Sequence, residues 1–583
     1  MTYNILGINP GHNGSAALTI DGELAYYIEE ERLSRSKYDG NPFRAMLDIM
    51  SKWKVDEIII GGTREDLPEL PWTGEDPYSA LVRKFYPNVK ITNFGADHHI
   101  SHAACSFYNS GFDKAISIVV DGSGSYKSFP LGKLFMGSQF KQTEIDSFVY
   151  GFESESIYVF EYPAKITLLK KYFGSNDSVK YSNDFFDFGC GITTAKAYEG
   201  VSDYLGFGYI EAGKTMGLSS YGKEDPNIQN LFIGNRGDKN IFIQNYPAGA
   251  KLTYPENNPK QWHNNPEKLT EFEKNLAWKV QQETQEKVGD LIQFAIEKTG
   301  INNVCLSGGY GLNCVANYYL KKRFPDINLY CEPAAHDGGT AIGLAKYGWY
   351  RLQDCCGGGC ETHDQIKKYP QKTLYHGPEY DPKYIKHRLF QYKDDIIINE
   401  VSYDDVAKLI SERNIVAMYQ GRSEAGPRAL GNRSILYDPR DPNGKDFVNT
   451  VKGREWFRPF AGSILEECAN DWFDMAGLES SPFMMYAVDV LKDKIEEIPN
   501  ITHVDGTCRI QTVNAEQNLH YYNLIKSFND ITEVPILFNT SFNLAGDPLV
   551  ETIDDAMYTI FNSRMNYLYL PELGILIEKK SKL

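Results

Sequence analysis

Short apolar runs separated by polar glycine turns mark the first half of the chain. Asn4-Ile5-Leu6-Gly7-Ile8 and the run from Ser15 to Ile20 flank one such turn, and Asp21-Gly22 leads from the second run into a third, Glu23 to Ile28. This pattern predicts neighbouring strands with a hairpin at Asp21-Gly22. Lys114 to Val120 reads as a buried strand ending in Asp121-Gly122-Ser123-Gly124, and Asn303 to Leu306 as another ending in Ser307-Gly308-Gly309. Between them, Thr270 to Thr299 is charged and regularly spotted with apolar residues, which predicts a long helix. Farther on, Tyr403 to Arg413 reads as a helix and Ile415 to Tyr419 as a strand. The mixture predicts an α/β protein.

The pattern breaks after Trp349-Tyr350, where DCCGGGCET occupies 354–362 and Gly377-Pro378 and Asp381-Pro382 follow. The expected organisation is a first domain over 1–350, a linker over 351–382 and a second domain over 383–583. No repeat of solenoid period is visible. With 583 residues, 42% hydrophobic and 23% charged, the chain can bury full cores and is not disordered. Its net charge of −17 argues against nucleic-acid binding by the whole surface, while a local basic pocket stays open. There is no basic segment followed by an apolar one at Met1 to Gly14, and no run nears the roughly 18 apolar residues of a membrane span. The ten cysteines are scattered except for Cys355, Cys356 and Cys360. A cytoplasmic location without a membrane partner is therefore expected.

Three turns could cradle phosphate: Asn9 to Ser15, Asp121 to Ser125, and Ser307 to Asn313. Each alone is weak, but their recurrence after apolar strands suggests a two-lobed nucleotide-binding fold. The chain has 11 histidines, and three of them fall in His98-His99-Ile100-Ser101-His102. On a helix, His98 and His102 share a face. An isolated pair of this kind is more often a helix start with satisfied imidazoles. Asp121, at a strand end, and Asp337, in the glycine-rich helix entry His336 to Thr340, change the weighting. Two imidazoles with two carboxylates would suit Fe, Mn or Zn.

Charge reverses between Gly421 and Arg458. Eight cations (Arg422, Arg428, Arg433, Arg440, Lys445, Lys452, Arg454 and Arg458) stand against five acidic residues. Most are arginines set among Gly, Pro and aromatics in GPRALGNRS and REWFRPF, not the spaced Lys and Glu of a solvated face. Arginine forks hold phosphate or carboxylate in bidentate fashion, so a small-anion pocket is expected. HVDGTCR at 503–509 and FNTSFN at 538–543 add polar groups near strand ends.

Together GINPGHNGSAA, EEERLSRSK, HHISHAACSF, EAGKTMGLSSYG, LSGGYGLN, HDGGTAIG, GRSEAGPRALGNRSIL, VKGREWFRPFAGSIL, HVDGTCRIQTV and LFNTSFN span almost the whole chain in order. This series resembles the O-carbamoyltransferase family of nodulation-factor, cephamycin and tobramycin biosynthesis. The resemblance implies a two-lobed N-terminal domain of actin/Hsp70 type, like the threonylcarbamoyl transferases of tRNA, followed by a YrdC-like α/β domain. It implies that the second domain makes carbamoyl adenylate from carbamoyl phosphate and ATP with Mg2+, and that the first transfers the carbamoyl group to an acceptor hydroxyl. His98, His102, Asp121 and Asp337 fall on the family's iron positions, with Mn or Zn as alternatives, and His12 on its catalytic histidine. Lys37, Glu211, Lys214, Gly308, Gly309 and Asn313 match positions around the adenylate. Arg428, Lys452, Arg458, Arg509, Asn539 and Ser541 match the pocket for carbamoyl phosphate and ATP.

The alternative is an ATPase or small-molecule kinase of the actin/Hsp70 type with a regulatory second domain; it leaves the histidine pair and REWFRPF unexplained. The acceptor is not legible. The segment from Gly61 to Arg83 belongs to its expected pocket, and nothing there selects a sugar, macrolide, aminoglycoside or nucleoside. The acidic balance favours a free hydroxyl-bearing small molecule, with a hydroxymethylated nucleotide or nucleic acid as a further candidate. A homo-oligomer is compatible with the sequence.

Overall fold

A computed structural model describes residues 2–63, 69–71, 73–95, 97–130, 148–177, 180–189, 191–232, 241–252, 269–354 and 366–580. The chain divides into two compact units: Met1–Ala25 with Gly40–Gln371, and Tyr26–Asp39 with Lys372–Leu583.

The first unit repeats one strand layout. The first sheet holds strands Asn4–Asn9, Ser15–Ile20, Glu23–Glu29, Glu57–Ile60 and Lys90–Asn93 in the order third, second, first, fourth, fifth, and the third of these passes at Tyr26 into the stretch counted with the second unit. Asn4–Asn9 runs antiparallel to Ser15–Ile20 and parallel to Glu57–Ile60. Asp21 and Gly22 both have positive φ (50° and 88°), as the tight hairpin between the second and third strands requires. In the second sheet Lys114–Val120 runs antiparallel to Phe148–Glu161, which runs antiparallel to Lys165–Gly174. Asn303–Ser307 and Asn328–Cys331 continue in parallel on the other side of Lys114–Val120. The five principal strands thus stand in the same order as in the first sheet, with Tyr126–Pro130, Phe186–Gly189 and Tyr181–Ser182 as additions. Helix Glu271–Thr299 starts at a Thr270/Glu273 capping box and stops at Gly300 in the left-handed region (φ 68°).

Helix Thr340–Gln353 packs on helix His98–Ser110 and on strand Asn4–Asn9. A β-carbon at Gly343 would lie 2.1 Å from the Ser101 carbonyl oxygen, and one at Gly7 would lie 2.2 Å from that of Ala341. Both glycines are therefore required by close backbone approach. Asn109 ties the same layers through polar contacts: it donates to Glu332 at 3.0 Å and accepts from the buried Lys346 at 2.7 Å.

The second unit is built on a ten-stranded mixed sheet, from Ile396–Glu400 at one edge to Phe473–Asp474 at the other. Arg433–Tyr437 and Ala461–Leu465 are wholly buried, and both pair with Ile536–Ser541. Helix Tyr403–Ser411 opens with a Ser402/Asp405 capping box and packs beside helix Leu519–Thr532.

The units differ from the sequence division in two ways. Helix Thr340–Gln353 runs past 350, and residues 366–371 stay with the first unit: Lys346 donates to the Tyr369 carbonyl (2.7 Å) and the Gln371 amide to that of Asn109 (2.8 Å). The second unit also takes in Tyr26–Asp39, from the first forty residues. Cys355, Cys356, Cys360 and His363 lie outside the described residues. Among the described residues no helix is long and apolar enough to cross a membrane.

Replacing Gly7 with Ala should lower the unfolding free energy by about 1–3 kcal/mol, because the methyl group meets backbone that cannot withdraw like a flexible side chain. Chemical denaturation of the two proteins measures the difference.

Candidate functional site

His98 and His102 open helix His98–Ser110 one turn apart, Asp121 follows strand Lys114–Val120, and Asp337 begins the tight turn before helix Thr340–Gln353. The elements bring the four buried side chains together, with one ligand atom from each lying within 4.8 Å of all the others. His98 Nε2 is 3.1 Å from His102 Nε2, 3.6 Å from Asp337 Oδ1 and 3.7 Å from Asp121 Oδ2, and His102 Nε2 is 3.5 Å from Asp337 Oδ1. Donors each about 2.0–2.2 Å from one ion would lie roughly 3–4 Å apart, so the residues fit a metal. The Nδ1 atom of His98 is buried without a hydrogen-bond partner.

Electrostatics bind the group together. Burial works against the His98 imidazolium, but Asp337 and then Asp121 and Glu153 carry its pKa up to about 9. Burial works equally against the Asp337 carboxylate, yet His12, His98 and His102 hold it well below the usual range. A second layer fixes the helix entry: Glu153 pairs with Lys171, accepts from the Ser125 amide at 3.1 Å and meets the His99 amide at 3.4 Å. Neither Glu153 nor Lys171 stands out in the sequence, because their sites lie within ordinary strand patterns.

His12 sits at the rim, with its side chain 61% exposed and its Nε2 3.5 Å from Asp337 Oδ2. Its Nδ1 faces Asn13 Oδ1 at 2.7 Å. With the proton on Nδ1, the Nε2 lone pair is available as an acceptor. Ser15 donates to the Gly338 carbonyl at 2.7 Å, fastening the His12 turn to the Asp337 turn. Gly40 returns the chain against this turn, where a β-carbon would lie 2.9 Å from the Gly11 carbonyl oxygen.

The remaining residues expected in the first domain divide. Gly309 donates its amide to Asp121 Oδ1 at 3.2 Å. Gly308 has φ 81° and leaves 2.4 Å between a β-carbon and the Val120 carbonyl oxygen, so both criteria demand glycine. Asn313 caps helix Cys314–Arg323 and donates to Gln281 at 2.9 Å. Glu211 and Lys214 lie 3.8 Å apart at the start of helix Ala212–Ser219. Lys37 falls in the second unit, exposed beside the Tyr38 ring. Glu199, which the sequence does not mark, packs its carboxylate on Gly122 and pairs with Lys196 at 2.6 Å.

In the second unit seven of the eight cations, all but Lys445, separate by role. Arg433 is fully buried, stacks 3.9 Å over Tyr419 and donates to the carbonyls of Asn432 and Gly421. Arg440 is bonded to Asp438, and Arg422 donates to the carbonyls of His376 and Gly377. These three hold the fold together. Arg428, Lys452, Arg454 and Arg458, with Arg509 from strand Thr507–Val513, act electrostatically on one another. Burial, then Arg454 and Arg458, push the Lys452 ammonium well below the usual lysine range. Burial, then Arg458 and Arg509, likewise weaken the hold of Arg454 on its proton. Arg454 belongs with the expected set; its place in REWFRPF is the signal that could have added it.

Polar groups line the cluster. Lys452 donates to the Ser541 carbonyl, and to Ser541 Oγ and Asn543 Oδ1 at 3.2 Å each. The Asn539 amide nitrogen is spent on Ala429, Ser463 and Gln511, leaving its Oδ1 buried without a hydrogen bond. Arg509 Nε is also buried without one. Glu455 lies 3.4 Å from Arg458, too little negative charge for five cations. An anion would relieve the repulsion.

The carbamoyltransferase N-terminus model matches residues 73–346, and the carbamoyltransferase C-terminus model matches residues 407–579. The nodulation protein NolNO of Sinorhizobium fredii (strain NBRC 101917 / NGR234) is 29% identical over 98% of this chain and 79% of its own length. An uncharacterized protein of Methanocaldococcus jannaschii is 30% identical over 83% of this chain and 73% of its own. Among solved structures, full-length HypF in its phosphate- and nucleotide-bound form aligns at 13% identity over 60% of this chain and 47% of that one, with a TM-score of 0.32, too low to place the fold. The chain is an α/β protein of the carbamoyltransferase family and an enzyme of that class.

The raised His98 pKa makes stability depend on pH in the metal-free protein. Its contribution is whole below about pH 6.5 and is lost as pH rises through about 9. In chelator, the stability difference between wild type and His98→Asn should therefore shrink from about pH 6 to about pH 10, as read by denaturant titration.

Proposed function

We propose that this chain is an ATP-dependent O-carbamoyltransferase working in two half-reactions. The observation that carries the reading is the cluster of Arg428, Lys452, Arg454, Arg458 and Arg509 in a member of the carbamoyltransferase family. Carbamoyl phosphate and ATP repel each other, and only concentrated positive charge offsets that repulsion. Water releases phosphate from carbamoyl phosphate, leaving carbamate; a carbamate oxygen attacks the α-phosphorus of ATP, and pyrophosphate departs. The product is carbamoyl adenylate. The arginines take up charge on the phosphoryl oxygens, and ATP enters with Mg2+.

In the second half-reaction an acceptor hydroxyl attacks the carbamoyl carbon and AMP leaves. His12 takes the hydroxyl proton at Nε2, while Asn13 holds its Nδ1–H and Asp337 stabilises the imidazolium that forms. His98, His102, Asp121 and Asp337 would hold Fe2+, with Mn or Zn as alternatives, supplying a Lewis acid for the departing phosphate. The repeated strand order supports an actin/Hsp70-type first unit, while the YrdC-like assignment of the second rests on sequence resemblance. The acceptor is a hydroxyl-bearing small molecule, favoured over duplex DNA by the acidic overall charge, and the free cysteines among the described residues support the cytoplasm as its setting.

ATP with carbamoyl phosphate should yield AMP and pyrophosphate; a kinase or ATPase would yield ADP. His102→Ala should lower transfer to a hydroxyl acceptor by roughly 100-fold or more and keep pyrophosphate release. Arg509→Ala should lower pyrophosphate release by roughly 100-fold and still transfer from supplied carbamoyl adenylate. Loss of pyrophosphate release in a folded His102→Ala protein would overturn this division of labour.

A further inference from the structure

The segment Tyr26–Asp39 precedes the rest of the second unit by more than three hundred residues, yet belongs to it. Its helix, Glu30–Ser34, is too short to be stable by itself. What holds it is a set of named bonds. The Tyr27 amide donates to the His376 carbonyl at 2.9 Å. Arg32, only 5% exposed, donates through one terminal nitrogen to the Gly426 carbonyl at 3.0 Å. Arg35 donates to the carbonyls of Leu549 and Pro548 at 2.7 and 3.0 Å, and its Nε lies 3.4 Å from Asp555.

The three carbonyls that the two arginines reach belong to two loops that contribute to the cationic pocket. Gly426 is two residues before Arg428, in the turn between strands Val416–Tyr419 and Arg433–Tyr437. That turn is gripped from within by Glu424, whose Oε1 accepts from the amides of Leu430 and Asn432 at 2.8 and 2.9 Å. Arg32 lines a small cavity together with Glu424, Ser423, Tyr27, Ile28 and Glu29, and its Nε and other terminal nitrogen are buried there without hydrogen bonds. Pro548 and Leu549 close the loop that begins at Ser541 and Asn543, the two residues that receive Lys452. The Val550 amide returns to the Phe542 carbonyl at 3.0 Å, completing that loop.

A buried guanidinium left with unmade hydrogen bonds is costly, a cost offset only in part by the buried Glu551 carboxylate on which Arg32 acts. We propose that Arg32 and Arg35 are positioning residues for the anion pocket: Arg32 sets the turn that carries Arg428, and Arg35 sets the loop that carries Ser541 and Asn543 against Lys452. The pocket of the second unit is then incomplete without fourteen residues supplied from the start of the chain. The inference rests on the proposed function only for the identity of the anion.

The test uses the full-length chain and inorganic pyrophosphate as probe, titrated calorimetrically, alongside pyrophosphate release from ATP and carbamoyl phosphate. Arg32→Met and Arg35→Met should each weaken pyrophosphate binding by about fivefold to tenfold and raise KM for carbamoyl phosphate similarly, with kcat within about twofold. Arg35→Lys should recover only part, since an ammonium cannot repeat the forked donation to two carbonyls. Arg388→Met, which removes the 2.8 Å pair with Asp554 in the same unit, should leave both measurements unchanged. If Arg32→Met folds poorly, the Arg35 pair of variants decides. Wild-type affinity and KM in folded Arg35→Met and Arg35→Lys would overturn the inference. Pyrophosphate binding weakened as expected, in a wild type that makes no AMP, would instead overturn the proposed reaction and leave the positioning role standing.

Discussion

The first unit depends on how closely helix Thr340–Gln353 approaches helix His98–Ser110. Gly343 removes the side chain that would hold them apart, and Gly7 does the same on the strand side. Apolar contact alone would let two helices slide by a fraction of a turn. The Lys346–Asn109–Glu332 bonds remove that freedom, because buried polar groups are satisfied in one register only. The register matters because Asp337 precedes one helix and His98 and His102 lie on the other. Four side chains from three separate stretches of sequence therefore meet to within hydrogen-bonding and metal-binding distances.

The second unit answers the opposite electrostatic problem. The first unit concentrates two carboxylates and neutralises them with imidazoles; the second concentrates five cations with little counter-charge. The cluster is held beside wholly buried strands whose own arginine, Arg433, is already bonded to carbonyls. Arg433 and Arg440 show the contrast: the same residue type, a few positions away, is wholly consumed in holding strands and turns. A cation that has spent its donors on carbonyls stabilises the fold. One whose charge is set against other cations is available to an anion, as Lys452 is beside Arg454 and Arg458 even while it donates to Ser541 and Asn543. The unsatisfied Arg509 Nε falls in the second group.

Local patterns along the chain were enough to place the strands at Asn4–Asn9, Ser15–Ile20, Lys114–Val120 and Asn303–Ser307, the long helix, and the α/β class. They were enough because periodicity, capping residues and turn glycines act over a few residues. The histidine pair with its two strand-end aspartates was also legible, since helical spacing and strand ends constrain where a side chain points. The doubling of the five-strand order was not, because topology repeats without repeating any residue. Nor could the sequence say which of eight cations face an anion and which bond carbonyls, why Glu153 and Lys171 sit behind His99, or that Tyr26–Asp39 belongs to the second unit. Those outcomes are set by which carbonyls and carboxylates arrive opposite each side chain. That depends on contacts hundreds of residues apart, which no local pattern encodes.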